Sequence, residues 1–348
     1  MRRLLPVLGL LLCSCGAPRG NNTPDGGAEC DPRGRTLDVP DFKAPFGVAH
    51  ATIAPTAIDP ASDRYPQARH ELYLPDDPSV TLRDELFVML PGTSNMPSGF
   101  EHVMSIAARA GYRVVGLAYD TDFNPAQLCT GVTGEQAIAD CRTGVIVEKI
   151  HGTDETDVID INEANSVEGR LLRLLRYASV NHPELGADRY YSGDDILWEN
   201  IVVAGFSQGA SVAGYIGKER ALPRNILLAG GCDVLEKNPG EVFPMPWCSE
   251  PRATPPERTW GLMHLQDQPE ADERIFELYG LVALGGFARA DTGSPGYCTG
   301  SHALQTDLPS QGDGTKYHLS VAHDRDIPLD DDGVPLLAED YYYLMTAD

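Results

Sequence analysis

A serine hydroxyl becomes a nucleophile only where a base can take its proton and an acid orients that base. The stretch Ile201 to Gly217 (IVVAGFSQGASVAGYIG) offers such a serine. Ile201 to Ala204 is wholly apolar, which suits a strand buried on both faces of a parallel sheet. Gly205-Phe206-Ser207-Gln208-Gly209 then fits G-x-S-x-G, and Ala210 to Gly217 is rich in small residues that suit a closely packed helix. Strand, glycine-flanked turn and helix together make the setting of a nucleophile elbow. A Cβ at Gly205 or Gly209 would collide with neighbouring backbone, so the glycines permit a turn sharp enough to strain the serine. That turn holds the Ser207 hydroxyl above the carboxyl end of the sheet. The helix start also leaves the Gln208 N–H unpaired beside the reacting atom.

The partners must follow in chain order, an acid and then a histidine, at the carboxyl ends of later strands. Asp267 in GLMHLQDQPE comes directly after an apolar run, and Asp233, after the preceding run, is its rival. Either aspartate could instead cap a helix. Three histidines come later: His318, with His323 and His302 as alternatives. His302 opens a strand, the wrong end for catalysis, and His323 faces an acidic run. His318 follows a loop from which a base could reach Ser207. His264 stands too close to Asp267 in sequence to be its partner and reads as a residue of the site wall. An oxyanion needs two donors. Gln208 N–H is one, and the Pro91-Gly92 turn directs Thr93, or next Ser94, toward the elbow as the other.

These residues need a scaffold that brings distant strand ends together. Ala68 to Pro75, Leu86 to Leu90, Val114 to Ala118, Asn225 to Ala229, Thr259 to Leu265 and Ala303 to Asp307 read as further strands. Phe100 to Ala110 and Ile275 to Leu284 read as helices. Asn165 to Asn181 is another, with Leu171, Leu172, Leu174, Leu175 and Ala178 on one stripe. The β-α-β spacing predicts an α/β fold with a mostly parallel central sheet and helices on both faces. Asp120 to Asn165 reads as irregular, an excursion over the site.

The chain has 348 residues, 42% hydrophobic, and a formal charge of −24. That balance argues against a nucleic-acid partner, whose phosphates need a basic footprint. The N-terminus, MRRLLPVLGLLLCSCG, pairs two arginines with an apolar core too short to span a bilayer. Leu12-Cys13-Ser14-Cys15 resembles the lipobox of bacterial lipoproteins. The resemblance implies a signal peptide over residues 1–14, lipidation at Cys15, and membrane attachment through that lipid alone. An ordinary secretory signal is the alternative. Residues 15–40, rich in Gly, Pro and Asn, read as a tether, and residues 41–348 as one catalytic domain. Export implies an oxidising compartment. Proximity then favours Cys129–Cys141 and Cys232–Cys248, which leaves Cys30–Cys298 by elimination. No phosphate-binding loop, zinc motif or EF-hand pattern is present, so no metal or cofactor is expected.

LFVMLPGTS, the elbow GFSQG and the later Asp267 and His318 are similar in kind and order to the α/β-hydrolase serine esterases, over roughly residues 65–345. A Pro-Gly replaces the usual His-Gly of the oxyanion loop. The resemblance implies an α/β-hydrolase fold and cleavage of a small-molecule or polymeric ester by Ser207, His318 and Asp267. The competing readings are an acyltransferase or amidase on the same site, a catalytically silent tethered binding protein, and a structural envelope lipoprotein.

Overall fold

Apolar runs separated by glycine and proline turns build a nine-stranded sheet in the computed structural model, which describes residues 39–44, 46–238, 241–290, 296–311 and 316–347. In chain order the strands are β1 (Val48–Ile53), β2 (His70–Pro75), β3 (Leu86–Leu90), β4 (Arg113–Gly116), β5 (Ile201–Phe206), β6 (Asn225–Leu228), β7 (Thr259–His264), β8 (Phe287–Arg289) and β9 (Ala303–Thr306). They lie in the order β1-β2-β4-β3-β5-β6-β7-β9-β8. β2 runs antiparallel to both its neighbours, β1 and β4, and every other pairing is parallel.

The longer helices are α1 (Glu101–Arg109), α2 (Glu135–His151), α3 (Val167–Asn181), α4 (Gln208–Glu219), α5 (Pro269–Leu278) and α6 (Ala338–Thr346). Every residue of β3 and β5 is buried, because helices cover both faces. The period of two sorts their side chains. Leu86, Val88, Leu90, Ile201 and Val203 face a core shared with Ile146 of α2, Leu171 of α3, Ala213 of α4 and Ile275 of α5. Phe87, Met89, Val202, Ala204 and Phe206 face a second core with Val103 of α1 and Leu344 of α6. α3 starts where the Ser166 side chain accepts from the Gly169 N–H. Its leucine stripe is buried as expected, each fully covered Leu contributing about 2 kcal/mol.

Some expectations are corrected. Asp120 to Asn165 is not irregular: it contains the 17-residue α2. The buried residues of α2 include Gly144, Glu148 and Lys149 beside Ala139, Val145, Ile146 and Ile150, so the apolar stripe on its covered face is interrupted and hard to read. The helix expected over Ile275 to Leu284 begins earlier, with Pro269 at its first position and Glu270 and Asp272 in its first turn. It ends at Leu278, and Gly280 (φ 75°) then turns the chain into a single 3-10 turn, Leu281–Ala283. The edge strands β1 and β8 have little hydrophobic signature and were not anticipated.

The Cys129–Cys141 and Cys232–Cys248 disulfides are both present. The expected Cys30–Cys298 pair involves Cys30, which lies outside the described residues, as do Cys15, the signal segment and most of the tether. Among the described residues no helix is long and apolar enough to cross a membrane.

Candidate active site

β5 delivers its last residue, Phe206, directly into Ser207, whose φ of 55° and ψ of −118° put it among the few non-glycine residues with positive φ. Such a conformation costs on the order of 1–3 kcal/mol and persists only where its surroundings over-determine it. They do so here. A Cβ at Gly205 would stand 2.0 Å from the Gly209 carbonyl oxygen, and one at Gly209 would stand 2.1 Å from that of Leu90. A Cβ at Gly92 would meet Phe206 Cδ1 at 2.9 Å and Ser207 Cβ at 3.0 Å, so the loop after β3 lies directly against the serine.

His318 sits on a one-turn helix, Tyr317–Ser320, with its Nε2 2.7 Å from Ser207 Oγ. Its Nδ1 is 2.5 Å from Asp267 Oδ2. Asp267 follows β7, so three separate segments converge: the end of β5, the end of β7 and the stretch beyond β9. The neutral state that fits these contacts has Nδ1–H donating to the carboxylate and Nε2 accepting from the serine hydroxyl. Burial works to lower the His318 pKa, but the hydrogen bond and charge of Asp267, with Asp272 behind, outweigh it and raise the pKa. The imidazolium that would form on taking the serine proton is therefore stabilised in place.

His264, expected on the wall of the site, lies behind it. Its Nδ1 accepts from the Gln266 N–H at 3.0 Å, so Nε2 carries the proton and donates to the Leu308 carbonyl at 2.9 Å. The ring also stacks on Tyr317, with centroids 4.7 Å apart. One buried imidazole thus ties the loop that carries Asp267 to the residue that precedes His318.

The rival candidates have other partners. Asp233 lines the same cavity but takes Arg142 Nη1 at 3.3 Å and its own neighbour's Val234 N–H at 3.0 Å. Burial raises its pKa even so. His302 donates from Nδ1 to the Thr259 carbonyl and stacks on Trp260, at the amino end of β9. His323 packs edge-on against Phe100, and its Nδ1 accepts from the Arg325 N–H. Ser94 N–H donates to the Thr121 carbonyl at 2.6 Å, so it is occupied. Thr93 and Gln208 both line the cavity at Ser207, and among the described residues no hydrogen bond takes up either backbone N–H.

Two residues with a bearing on the site were missed in the sequence. Lys149 of α2 is 1% exposed, and its ammonium donates to the carbonyls of Asp120 (3.0 Å) and Phe123 (2.8 Å) and to Gln208 Oε1 (2.8 Å). Three protons meet three acceptors, which is what permits a charge to be buried there. Desolvation still lowers its pKa to about 8, against the opposing pull of Asp120. The second is Asp272 in the first turn of α5, 5% exposed. Desolvation and the neighbouring charge of Asp267 raise its pKa to about 7, with His318 pulling the other way. Nothing local in the sequence marks either residue, and only the placing of α2 and α5 beside the elbow brings them to the site.

The chain matches no known family profile and no curated protein.

Proposed function

We propose that this chain is a serine hydrolase of the α/β-hydrolase type that cleaves carboxylic esters through an acyl-enzyme at Ser207. The carrying observation is the continuous relay from Ser207 Oγ through His318 to Asp267, at 2.7 and 2.5 Å, with the serine held on a positive-φ turn. His318 takes the hydroxyl proton as Ser207 Oγ bonds to the ester carbonyl carbon. The carbonyl oxygen gains the negative charge, and the N–H groups of Gln208 and Thr93 hold it. Collapse expels the alcohol, which receives its proton from His318 Nε2. Water, deprotonated by the same nitrogen, then attacks the acyl carbon and releases the acid and the free serine. Asp267 accepts from His318 Nδ1–H and keeps the ring in the tautomer that each transfer needs.

The two disulfides support a place outside the reducing cytosol. A lipid anchor at Cys15 rests on the N-terminal sequence alone.

The test is labelling by a fluorophosphonate and hydrolysis of p-nitrophenyl esters across acyl lengths, with Ser207→Ala and His318→Ala alongside wild type. Stoichiometric labelling that Ser207→Ala abolishes, with turnover down at least about 10³-fold in either variant, is the expected result. A wild-type protein that neither labels nor turns over would overturn the proposal.

A further inference from the structure

The cavity beside Ser207, of about 240 Å³, carries two polar side chains whose bonding capacity the protein does not use. Gln208, 5% exposed, gives its Oε1 to Lys149 and leaves its buried Nε2 without a partner. The ammonium has donors only, so the amide cannot be turned around: the carbonyl must face Lys149 and the NH₂ is the end left over. Asp272, also 5% exposed, lines the same cavity, and its buried Oδ2 has no partner. Buried polar groups are nearly always bonded, and an orphaned one costs about 1–3 kcal/mol or more if charged. Two at one cavity, beside the proposed nucleophile, indicate a ligand group that completes them.

From these two unsatisfied groups we infer that the cavity at Ser207 selects esters bearing a hydroxyl group, which donates to Asp272 and accepts from Gln208 Nε2. The chemistry narrows the choice. An ammonium could satisfy Asp272 but offers Gln208 no acceptor. A carbonyl or ether oxygen could satisfy Gln208 but offers Asp272 no proton. A plain alkyl chain leaves both orphaned. A hydroxyl carries both the proton that Asp272 lacks and the lone pairs that Gln208 Nε2 lacks. Lys149 sets this preference without touching the substrate, by fixing which end of the Gln208 amide is free. Asp272 contributes specificity and lies outside the relay, since His318 Nδ1 bonds to Asp267.

The inference rests on the serine-hydrolase reading, and its test separates the two. kcat/KM is measured for ethyl pentanoate, ethyl 3-hydroxypentanoate and ethyl 3-aminopentanoate, which vary the acyl side. Pentyl acetate and 3-hydroxypentyl acetate vary the alcohol side. Wild type is expected to prefer the hydroxylated member of at least one series by about ten- to hundredfold, the worth of a hydrogen bond to a charged group. Asp272→Leu should bring that ratio close to one, the ratio being taken within the variant so that any change common to both esters cancels. Asp272→Asn, which keeps an acceptor, should retain part of the preference. A wild-type ratio near one in both series, a stronger preference for the amino ester, or an unchanged ratio in Asp272→Leu would each overturn the inference. Turnover that Ser207→Ala abolishes leaves the hydrolase reading standing in all those cases. A Ser207 that neither turns over an ester nor takes a fluorophosphonate would remove both.

Discussion

Asp272 stores a cost that depends on pH. Its carboxyl is buried without a partner for Oδ2, and its pKa stands at about 7 instead of the ordinary 3.8. The folded state therefore holds this proton more tightly than the unfolded chain does. Below pH 3.8 both states are protonated and nothing is lost. Between 3.8 and about 7 the unfolded chain ionises while the folded one resists, so stability falls as pH rises. Above 7 the whole penalty is present, about 4 kcal/mol at roughly 1.36 kcal/mol per pH unit. Asp272→Asn removes the ionisation and keeps the shape. It should be close to neutral at pH 4 and stabilising by up to about 4 kcal/mol at pH 8. Unfolding entropy of about 2.1 cal/mol/K per residue over residues 41–348 is about 0.65 kcal/mol/K, so the gain at pH 8 corresponds to a Tm rise of about 6 °C. The assay is calorimetry of wild type and variant at both pH values with the disulfides intact. An equal change in Tm at pH 4 and pH 8, or a loss at pH 8, would refute the account of a buried, unpaired carboxylate.

Other outcomes follow from named contacts. Asp267→Asn should lower kcat on the order of 10⁴-fold by leaving His318 in the wrong tautomer, whereas Asp233→Asn should stay within a few-fold; the reverse order in steady-state kinetics would move the acid role to Asp233. Lys149→Met leaves the Asp120 and Phe123 carbonyls and Gln208 Oε1 without a donor, so denaturant titration should show a loss of about 3 kcal/mol or more. Unchanged stability would show that the ammonium is not what holds these segments. Because the His318 pKa is raised, kcat/KM should fall as pH drops through a value above 6.5, and Asp267→Asn should shift that limb to lower pH in a pH–rate profile; an unmoved limb would assign it to another group. Gly209→Ala puts a Cβ within 2.1 Å of the Leu90 carbonyl oxygen and should yield little folded protein on expression; normal yield with wild-type activity would contradict the elbow packing.

Much of the scaffold was legible because it obeys local rules. The apolar strands β3 and β5, the leucine stripe of α3 and the glycines around Ser207 each have a short-range cause: burial on two faces, a 3.6-residue period, and backbone with no room for a Cβ. The order serine, acid, histidine was also readable, and the structure brings Asp267 and His318 together with Ser207. Less was legible where the cause lies in another segment. α2 buries Lys149 and Glu148 among Ala139, Val145, Ile146 and Ile150, so its stripe is interrupted, and the segment reads as irregular in the sequence. β1 and β8 are edge strands, β1 with Ala49, His50 and Thr52 exposed and β8 only three residues long, and their pattern is correspondingly weak. His264 looked like a wall residue because its two bonds reach Gln266 and Leu308, a pairing visible only when β7 and the segment after β9 lie side by side.

By itself, then, the amino-acid order determined a parallel sheet, a strained serine turn and a short set of acids and bases that could serve it. Choosing among them belonged to the tertiary structure. Proton transfer needs atoms about 3 Å apart, and 111 residues separate Ser207 from His318. Whether Asp267 or Asp233 faces that ring, and whether Lys149 holds Gln208 by its oxygen, depends on how helices and strand ends pack across the sheet. No local rule of sequence carries that information.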